Sequence, residues 1–451
     1  MGRSSTTRRG PLPAPVVHAN DETLTRYAGM VPAIRFLSGE LQLPREFREV
    51  VGATGRRRRH PVHKVLFAFL VGALAGVQRL AHLEWLRGDA VMLKFLRLGS
   101  WPCRKVFSKA LAGMSDAALE RLRQLVTRVG LRSVTRDTPV VLDFDGSSIV
   151  SFGHHEGARF GYSGKGRNRR RHYPLVASVA ESRAVVNALY RDGRGTPHAE
   201  VIDFFGDTMA RVRDVMGEDT DFVVRADSGF WSNPTGAWLL EQGVPFVFSK
   251  PLTASVKLML HGASWRALEL EPDIHVAVLP GEDLKLDKRL RIVAIRRRVT
   301  DPKAPPQGKR IEGDANWRYQ ALITERVDWA PEDVWRFYNG RADCERVFRV
   351  ARQALGMGWL IGKSLRANAV AFLLRLLAFN ADLLFQRRCE RRAAEDKRPV
   401  KRQGLEARQH YFYLAPGRWL RRHNRWVMRV EMKPAVLALW EHYAPELISS
   451  A

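Results

Sequence analysis

Tyr338-Asn339-Gly340-Arg341-Ala342-Asp343-Cys344-Glu345, followed seven residues later by Arg352, concentrates reactive side chains at helical spacing. At about 100° per residue, Tyr338, Arg341, Glu345 and Arg352 fall within an arc of roughly 60° on one helix. That face would carry a phenol, a carboxylate and two guanidinium groups. Such a set suits a site that holds both a metal ion and a phosphate: the carboxylate ligates a hard cation, and planar arginines grip phosphate oxygens. A solvated charged helix face is the competing reading of the same spacing.

Two further segments supply acids. Val140-Val141-Leu142-Asp143-Phe144-Asp145-Gly146-Ser147 is an apolar, β-branched run that breaks at glycine, as a buried strand delivering a carboxylate to its end would. Asp221-Phe222-Val223-Val224-Arg225-Ala226-Asp227-Ser228-Gly229-Phe230 repeats the plan and ends in Asp227 before a turn. Asp143 lies two residues before Asp145 and so shares its side of the strand. Either could be a metal ligand. The strand end and its small neighbours favour Asp145, with Asp143 as a partner of the ligand or of a nearby arginine. Asp203, Asp207, Asp214 and Asp221 sit in polar settings and read as surface positions. If sheet and helix pack together, two strand-end aspartates and the helical glutamate converge. They could then hold two magnesium ions against a scissile phosphate.

With these motifs in this order, the chain resembles the DDE transposases of bacterial insertion sequences. Within them it looks like the branch whose third acid lies in the pattern Tyr, two residues, Arg, three residues, Glu, six residues, Lys. Here the pattern is Tyr338, Arg341 and Glu345, with Arg352 where the family has lysine. That departure keeps the charge and changes its geometry. Asp145-Gly146-Ser147 matches the family's Asp-small-Ser/Thr context, and Arg225, Asp227 and Phe230 match Arg-x-Asp-x-x-Phe. Looser matches are Gly161-Tyr162, Tyr173-Pro174-Leu175 and Leu189 to Gly193. The resemblance implies that Asp145, Asp227 and Glu345 bind Mg2+, with Mn2+ as a substitute. It implies that Tyr338, Arg341 and Arg352 hold the phosphate at the element's 5′ end. The activity implied is cut-and-paste transposition by metal-dependent DNA cleavage and strand transfer. A ribonuclease-H-like nuclease that does not join strands, and an inactive DNA-binding descendant, are the alternatives.

The net charge of +27 on 451 residues points to a polyanionic partner, and nucleic acid is the simplest one. The excess is clustered at Arg56 to Arg59, Arg167 to Arg171, Arg296 to Arg298 and between Arg387 and Arg429. Such clusters supply affinity for phosphates more than sequence specificity. Expected partners are double-stranded DNA, as transposon ends and as target, and a second copy of the chain in a synaptic homodimer. No membrane partner is expected, because Val65 to Val77 is the longest uncharged apolar run and falls short of the ~20 residues that span a bilayer. Ala369 to Leu384 is interrupted by Arg375 and Asp382 and reads as a core helix. The N-terminus lacks a signal-peptide pattern. Cys103, Cys344 and Cys389 have no metal-ligand spacing. A reducing, cytoplasmic and nucleoid-associated location is expected. His154, His155 and His172 are read as structural or phosphate-contacting residues.

The expected fold class is α/β: a ribonuclease-H-like catalytic core interrupted by a β-rich insertion domain, with an N-terminal helical domain. Residues 1–19 read as a disordered basic N-terminus and 20–135 as a helical DNA-binding domain. Residues 136–250 and 329–388 form the core. Here a partner strand is expected near Ala158 to Tyr162 and a long strand from Pro174 to Val186. The stretch between Asp227 and Glu345 is far longer than a compact return to the site needs, so 251–328 reads as the insertion. Of Trp231, Trp265, Trp317, Trp329 and Trp335 in this half, one could stack on an unpaired base. Residues 389–451 read as a basic helical C-terminal region.

Overall fold

The computed structural model describes residues 21–52, 59–135, 139–163, 166–279, 286–299, 309–311, 314–399, 403–422, 425–430 and 434–448. The side chains of 162–168, 310, 315, 342–346, 435 and 446 are outside that description. The expected disordered segment 1–19, the arginines at 56–58 and part of the 167–171 cluster therefore fall outside it, as do the side chains of Cys344 and Glu345.

Apolar residues alternating with polar ones build the central sheet, which has ten strands among the described residues. The first acids lie on the strand Val140–Gly146, third from one edge. On one side lies Leu175–Val179, antiparallel, and then Val185–Leu189, also antiparallel. On the other side Phe222–Ala226 and then Phe246–Lys250 add in parallel. Asp314–Thr324 pairs antiparallel with Phe246–Lys250, and Arg291–Arg298, Ile274–Leu279 and Arg266–Ala267 follow outward. The strands expected to form an insertion domain at 251–328 thus extend this same sheet. Their apolar alternation completes an open edge.

Two local expectations change. The long strand at Pro174–Val186 is a tight hairpin, turning between Val179 and Val185 with Arg183 at φ 61°. The strand near Ala158–Tyr162 is Arg159–Ser163, and it pairs with Gly166–His172 in a separate three-stranded sheet. Its glycine and arginine content gives it no apolar face for the main sheet.

The sheet's two faces have different covers. Val140, Leu142, Phe144, Val224, Ala226, Phe246 and Phe248 point to one face, where the His198–Met216 helix lays Phe204, Phe205 and Met209 on them. Phe144 meets Phe205 at a ring separation of 4.2 Å, which fixes the Val140–Gly146 strand on that helix. On the opposite face Val247, Val293, Ile295 and Leu322 pack under Val334, Trp335 and Tyr338 of the Pro331–Asn339 helix. Farther along that face Val176 and Ala188 join a large helical core.

That core unites the N-terminal helices, including Val62–Leu74 and Asp116–Leu131, with the long Leu365–Glu395 helix. The helices at 20–135 thus share one hydrophobic core with the helix behind the sheet. Arg123 of Asp116–Leu131 also ties this core to the His198–Met216 helix, reaching Asp207 at 2.6 Å, while Arg211 reaches the same carboxylate at 2.9 Å. Asp207, expected at the surface, is half-buried in this network.

Leu365–Glu395 is long and apolar enough to cross a membrane by length and composition, but most of its apolar window is buried within the fold. Its interrupting charges have partners: Arg375 donates to the carbonyls of Trp359 and Gln78, and Asp382 accepts from Tyr413 at 2.9 Å and from Arg408. The C-terminal region, expected to be helical, contains a β-hairpin of Gly417–Arg422 and Arg425–Val430 that pairs with Leu24–Thr25. Of the tryptophans considered for base stacking, Trp231 and Trp335 are buried. Trp265 and Trp317 each lie against the Arg296 guanidinium, and Trp329 lies against Phe337. Their faces are taken up by the fold.

Gly29 marks the tightest closure between the two ends of the chain. A Cβ there would lie 1.7 Å from the Phe412 carbonyl oxygen, a backbone atom that cannot swing away. Gly29→Ala is expected to destabilise the protein by about 1–3 kcal/mol or more through overpacking. Denaturant unfolding against Gly39→Ala, where a Cβ meets open space, checks it.

Candidate active site

The alternation that buries Leu142 and Phe144 turns Asp143 and Asp145 to the other face, and the same rule turns Arg225 and Asp227 there. This stretch of the face lies between the helical core and the Pro331–Asn339 helix, so polar side chains are enclosed without being fully sealed. The parallel register pairs Val140 with Phe222 through Phe144 with Ala226. One step further, Asp145 and Asp227 stand side by side at the ends of neighbouring strands. Both act electrostatically on the same two phenols, Tyr173 and Tyr338.

Each aspartate is held by its own turn. Asp145 Oδ1 accepts from the Gly146 amide at 2.9 Å, and Asp227 Oδ1 accepts from the Gly229 amide at 2.9 Å. A side chain at Gly146 would collide with Tyr173, since a Cβ there lies 2.3 Å from the phenol oxygen. Glycine at the strand end is what lets the phenol lie beside the acids.

Asp143 has a different role from Asp145. It takes two hydrogen bonds from Arg225, Nε at 2.7 Å and Nη2 at 2.8 Å, and both residues are buried. Arg225 also donates from Nη1 to the Phe337 carbonyl at 2.6 Å. This pair clamps the two acid-bearing strands to the last turn of the overlying helix.

The helix expected to run through Tyr338, Arg341, Glu345 and Arg352 is divided. Pro331–Asn339 ends, Gly340 and Arg341 turn, and Ala342–Ala354 begins. The described side chains still reach one region. Arg341 Nη2 lies 3.1 Å from Asp145 Oδ1 and donates to the Phe144 carbonyl at 3.3 Å. Tyr338 is buried, and Ser249 is among the groups that act on its hydroxyl. Arg352 Nη2 donates to Ser147 Oγ at 2.7 Å, two residues past Asp145. Glu345 lies in the first turns of Ala342–Ala354, four residues after Arg341, and its side chain is among those not described. Among the described residues, no group of three His, Cys, Asp or Glu side chains is placed to hold a metal ion.

Burial raises the pKa of the Tyr338 phenol, with Arg341 opposing and Asp227 adding to the rise. Burial likewise pushes Tyr173 up to about 12, reinforced by Asp227 and Asp145. A raised phenol means that the fold prefers the neutral form. This contribution to stability is complete below pH about 10, the value for a free tyrosine, and fades as pH rises toward 12. The phenolate absorbance of the protein minus that of Tyr173→Phe is expected to titrate near 12; a midpoint near 10 would show the phenol to be open to water.

Tyr173, Ser147 and Ser249 complete the site. Tyr173 and Ser147 stand in the Tyr-Pro-Leu and Asp-small-Ser/Thr matches of the sequence, whereas Ser249 has no sequence signal and becomes visible only through Tyr338. His172 is structural: fully buried, it bonds to the Tyr190 hydroxyl at 2.7 Å and the Glu156 carbonyl at 2.8 Å.

Among solved structures, the chain is similar to that described as a piggyBac transposase synaptic complex with hairpin DNA, determined by electron cryo-microscopy. The two are 12% identical, the match covers 86% of this chain and 79% of that one, and the TM-score is 0.47. No match is found among curated proteins. The family described as Transposase DDE domain group 1 matches residues 16–270, a span that contains both strand-end aspartates. With more than half of its length matched, the chain belongs to this family of DDE transposases.

Proposed function

We propose that this transposase works by cut-and-paste, cleaving DNA at its element's ends and joining the freed strand to a target, with Asp145, Asp227 and Glu345 as its acids. The observation that carries the reading is the register that sets Asp145 beside Asp227, under two shared phenols and beside Arg341. The sheet supports a ribonuclease-H-like core: three successive strands joined antiparallel, beginning with the Asp145 strand, two further strands added in parallel on its other side, and the His198–Met216 helix joining the halves.

DDE transposases use divalent metal ions. The donors here fit one, since carboxylate oxygens at strand ends suit a hard cation, and Mg2+ with Mn2+ as substitute is the proposed choice. When bound, the metal supplies activation of a water or 3′-hydroxyl and stabilisation of the leaving oxygen.

The protein's own residues position and balance charge. Arg341 offsets the charge of Asp145, which lets two carboxylates stand together. Tyr338, Arg341 and Arg352 line the approach and would take the phosphate beside the scissile bond. Tyr173, kept neutral at ordinary pH, can donate a hydrogen bond to a phosphate oxygen. A homodimer would bring two element ends together, in the cytoplasm where the nucleoid lies. The test incubates labelled element-end duplex with target DNA, enzyme and Mg2+. Joined product is expected. Cleavage without joining would make the protein a nuclease, and binding without cleavage would make it an inactive descendant.

A further inference from the structure

The C-terminal hairpin has two faces with opposite character. Its register pairs Arg418 with Arg429, Leu420 with Val427 and Arg422 with Arg425 on one face, and Trp419 with Met428 and Arg421 with Trp426 on the other. The second face lies on the protein at its base and is open at its tip: Trp419 packs edge-on against Phe95 at 5.0 Å, while Trp426, which stacks on Trp419 at 5.2 Å beneath Lys94, stays half exposed and Arg421 exposed. Met428 and Val430 rest on the helical core. The hairpin is therefore anchored, and the face with four arginines points away from the anchor.

Those four arginines are all exposed. They form two directly opposed Arg–Arg pairs, an arrangement that costs stability in an isolated sheet. Among the described residues only Arg418 has an acidic partner, Asp21, at 3.3 Å. Hydrophobic packing accounts for Trp419, Met428 and Val430 on the inner face. Asp21 answers Arg418, while among the described residues no acid is paired with Arg422, Arg425 or Arg429. A polyanion that lies across the ribbon would turn the repulsion into attraction.

We propose that the outer face of this hairpin is a DNA-binding surface, on which Arg418, Arg422, Arg425 and Arg429 contact the phosphate backbone of duplex DNA. Six residues per strand make a ribbon about 20 Å long, edged by Leu24–Thr25 at its base and two-stranded from Leu420 to Val427, where its width matches the major groove. Arginines at this spacing meet phosphates on both sides of the groove. The interaction supplies affinity and orientation without base reading. The proposal rests on the reading of the chain as a transposase and names a surface, remote in sequence from the acids, by which it holds its DNA.

The test separates charge from folding. Arg422→Glu places an acid opposite Arg425, so the melting temperature should hold or rise, while duplex affinity falls about tenfold or more in low salt. Arg418→Gln/Arg422→Gln/Arg425→Gln/Arg429→Gln should flatten the slope of log affinity against log salt by about three to four, near one for each phosphate that is no longer neutralised. Both variants are measured by fluorescence anisotropy on the same duplex, without metal, so that binding is read whether or not the enzyme cleaves. An unchanged salt slope in the fourfold variant, with its fold intact by circular dichroism, would overturn the proposal. So would an equal loss of melting temperature and affinity in Arg422→Glu. Absence of cleavage in the wild type alone would instead count against the catalytic reading and leave the binding result standing.

Discussion

Asp145→Asn and Asp227→Asn are each expected to reduce DNA cleavage by about 10³-fold or more while leaving duplex binding within a few-fold of wild type. Asparagine keeps the shape of each side chain and the bonds from the Gly146 and Gly229 amides. What it removes is the negative charge that a divalent ion needs. The effect should therefore appear in turnover and in metal affinity; melting temperature should hold in Asp227→Asn and fall modestly in Asp145→Asn, where buried Arg341 loses the carboxylate 3.1 Å from its Nη2. Glu345→Gln is expected to behave in the same way. Asp214→Asn, on the His198–Met216 helix and outside the site, serves as the control and should cleave normally. The measurement is single-turnover cleavage of a labelled element-end duplex across a Mg2+ series, with anisotropy for binding. Loss of binding with cleavage retained would reject the assignment of the acids.

The first two acids are legible in the sequence because strand ends advertise themselves locally. An apolar alternating run that stops at an acid and a glycine fits little besides a buried strand ending at a turn, and both runs lie in neighbouring parallel strands. The separation of Asp143 from Asp145 is legible only in part: the strand end favours Asp145, but the two share a strand face and what stands opposite each is hidden. The register puts Arg225 across from Asp143 and leaves Asp145 to Arg341. Helical periodicity survives a short turn, so the spacing from Tyr338 to Arg352 reads as one continuous helix. Gly340-Arg341 interrupts it, yet Tyr338 and Arg341 still face the acids. Strand pairing at long range is hidden in a similar way: the runs at 274–279, 291–298 and 314–324 look alike whether they form their own domain or extend a neighbouring sheet. Only the open edge of Phe246–Lys250 decides it. The exposed arginine face of the C-terminal hairpin is hidden too, since a dense run of arginines carries no strand alternation that composition alone can show.

Arg225→Ala is expected to destabilise the protein by about 3–5 kcal/mol, more than any other single change near the site. The reason lies in what remains: Asp143, 1% exposed, would keep a carboxylate without its two guanidinium bonds. The Phe337 carbonyl would lose its donor as well. Arg225→Lys should recover little, because one ammonium cannot span both carboxylate oxygens and the carbonyl as the planar fork does. Asp143→Leu should be costly for the mirror reason, leaving a buried guanidinium uncompensated. The double variant Asp143→Leu/Arg225→Met removes both charges and replaces them with apolar volume, which for buried pairs is often close to neutral. Its loss of stability should therefore fall short of the sum of the Asp143→Leu and Arg225→Met losses by about 2 kcal/mol or more, read by denaturant unfolding in a double-mutant cycle. Additive losses would mean that the two side chains are not a coupled pair. Cleavage should not return with stability. The clamp to Phe337 holds the turn from which Tyr338 and Arg341 reach the acids, and methionine cannot replace it. A folded, DNA-binding but slow double variant would identify the Asp143–Arg225 pair as the element that positions the site, with the acids beside it left to carry the chemistry.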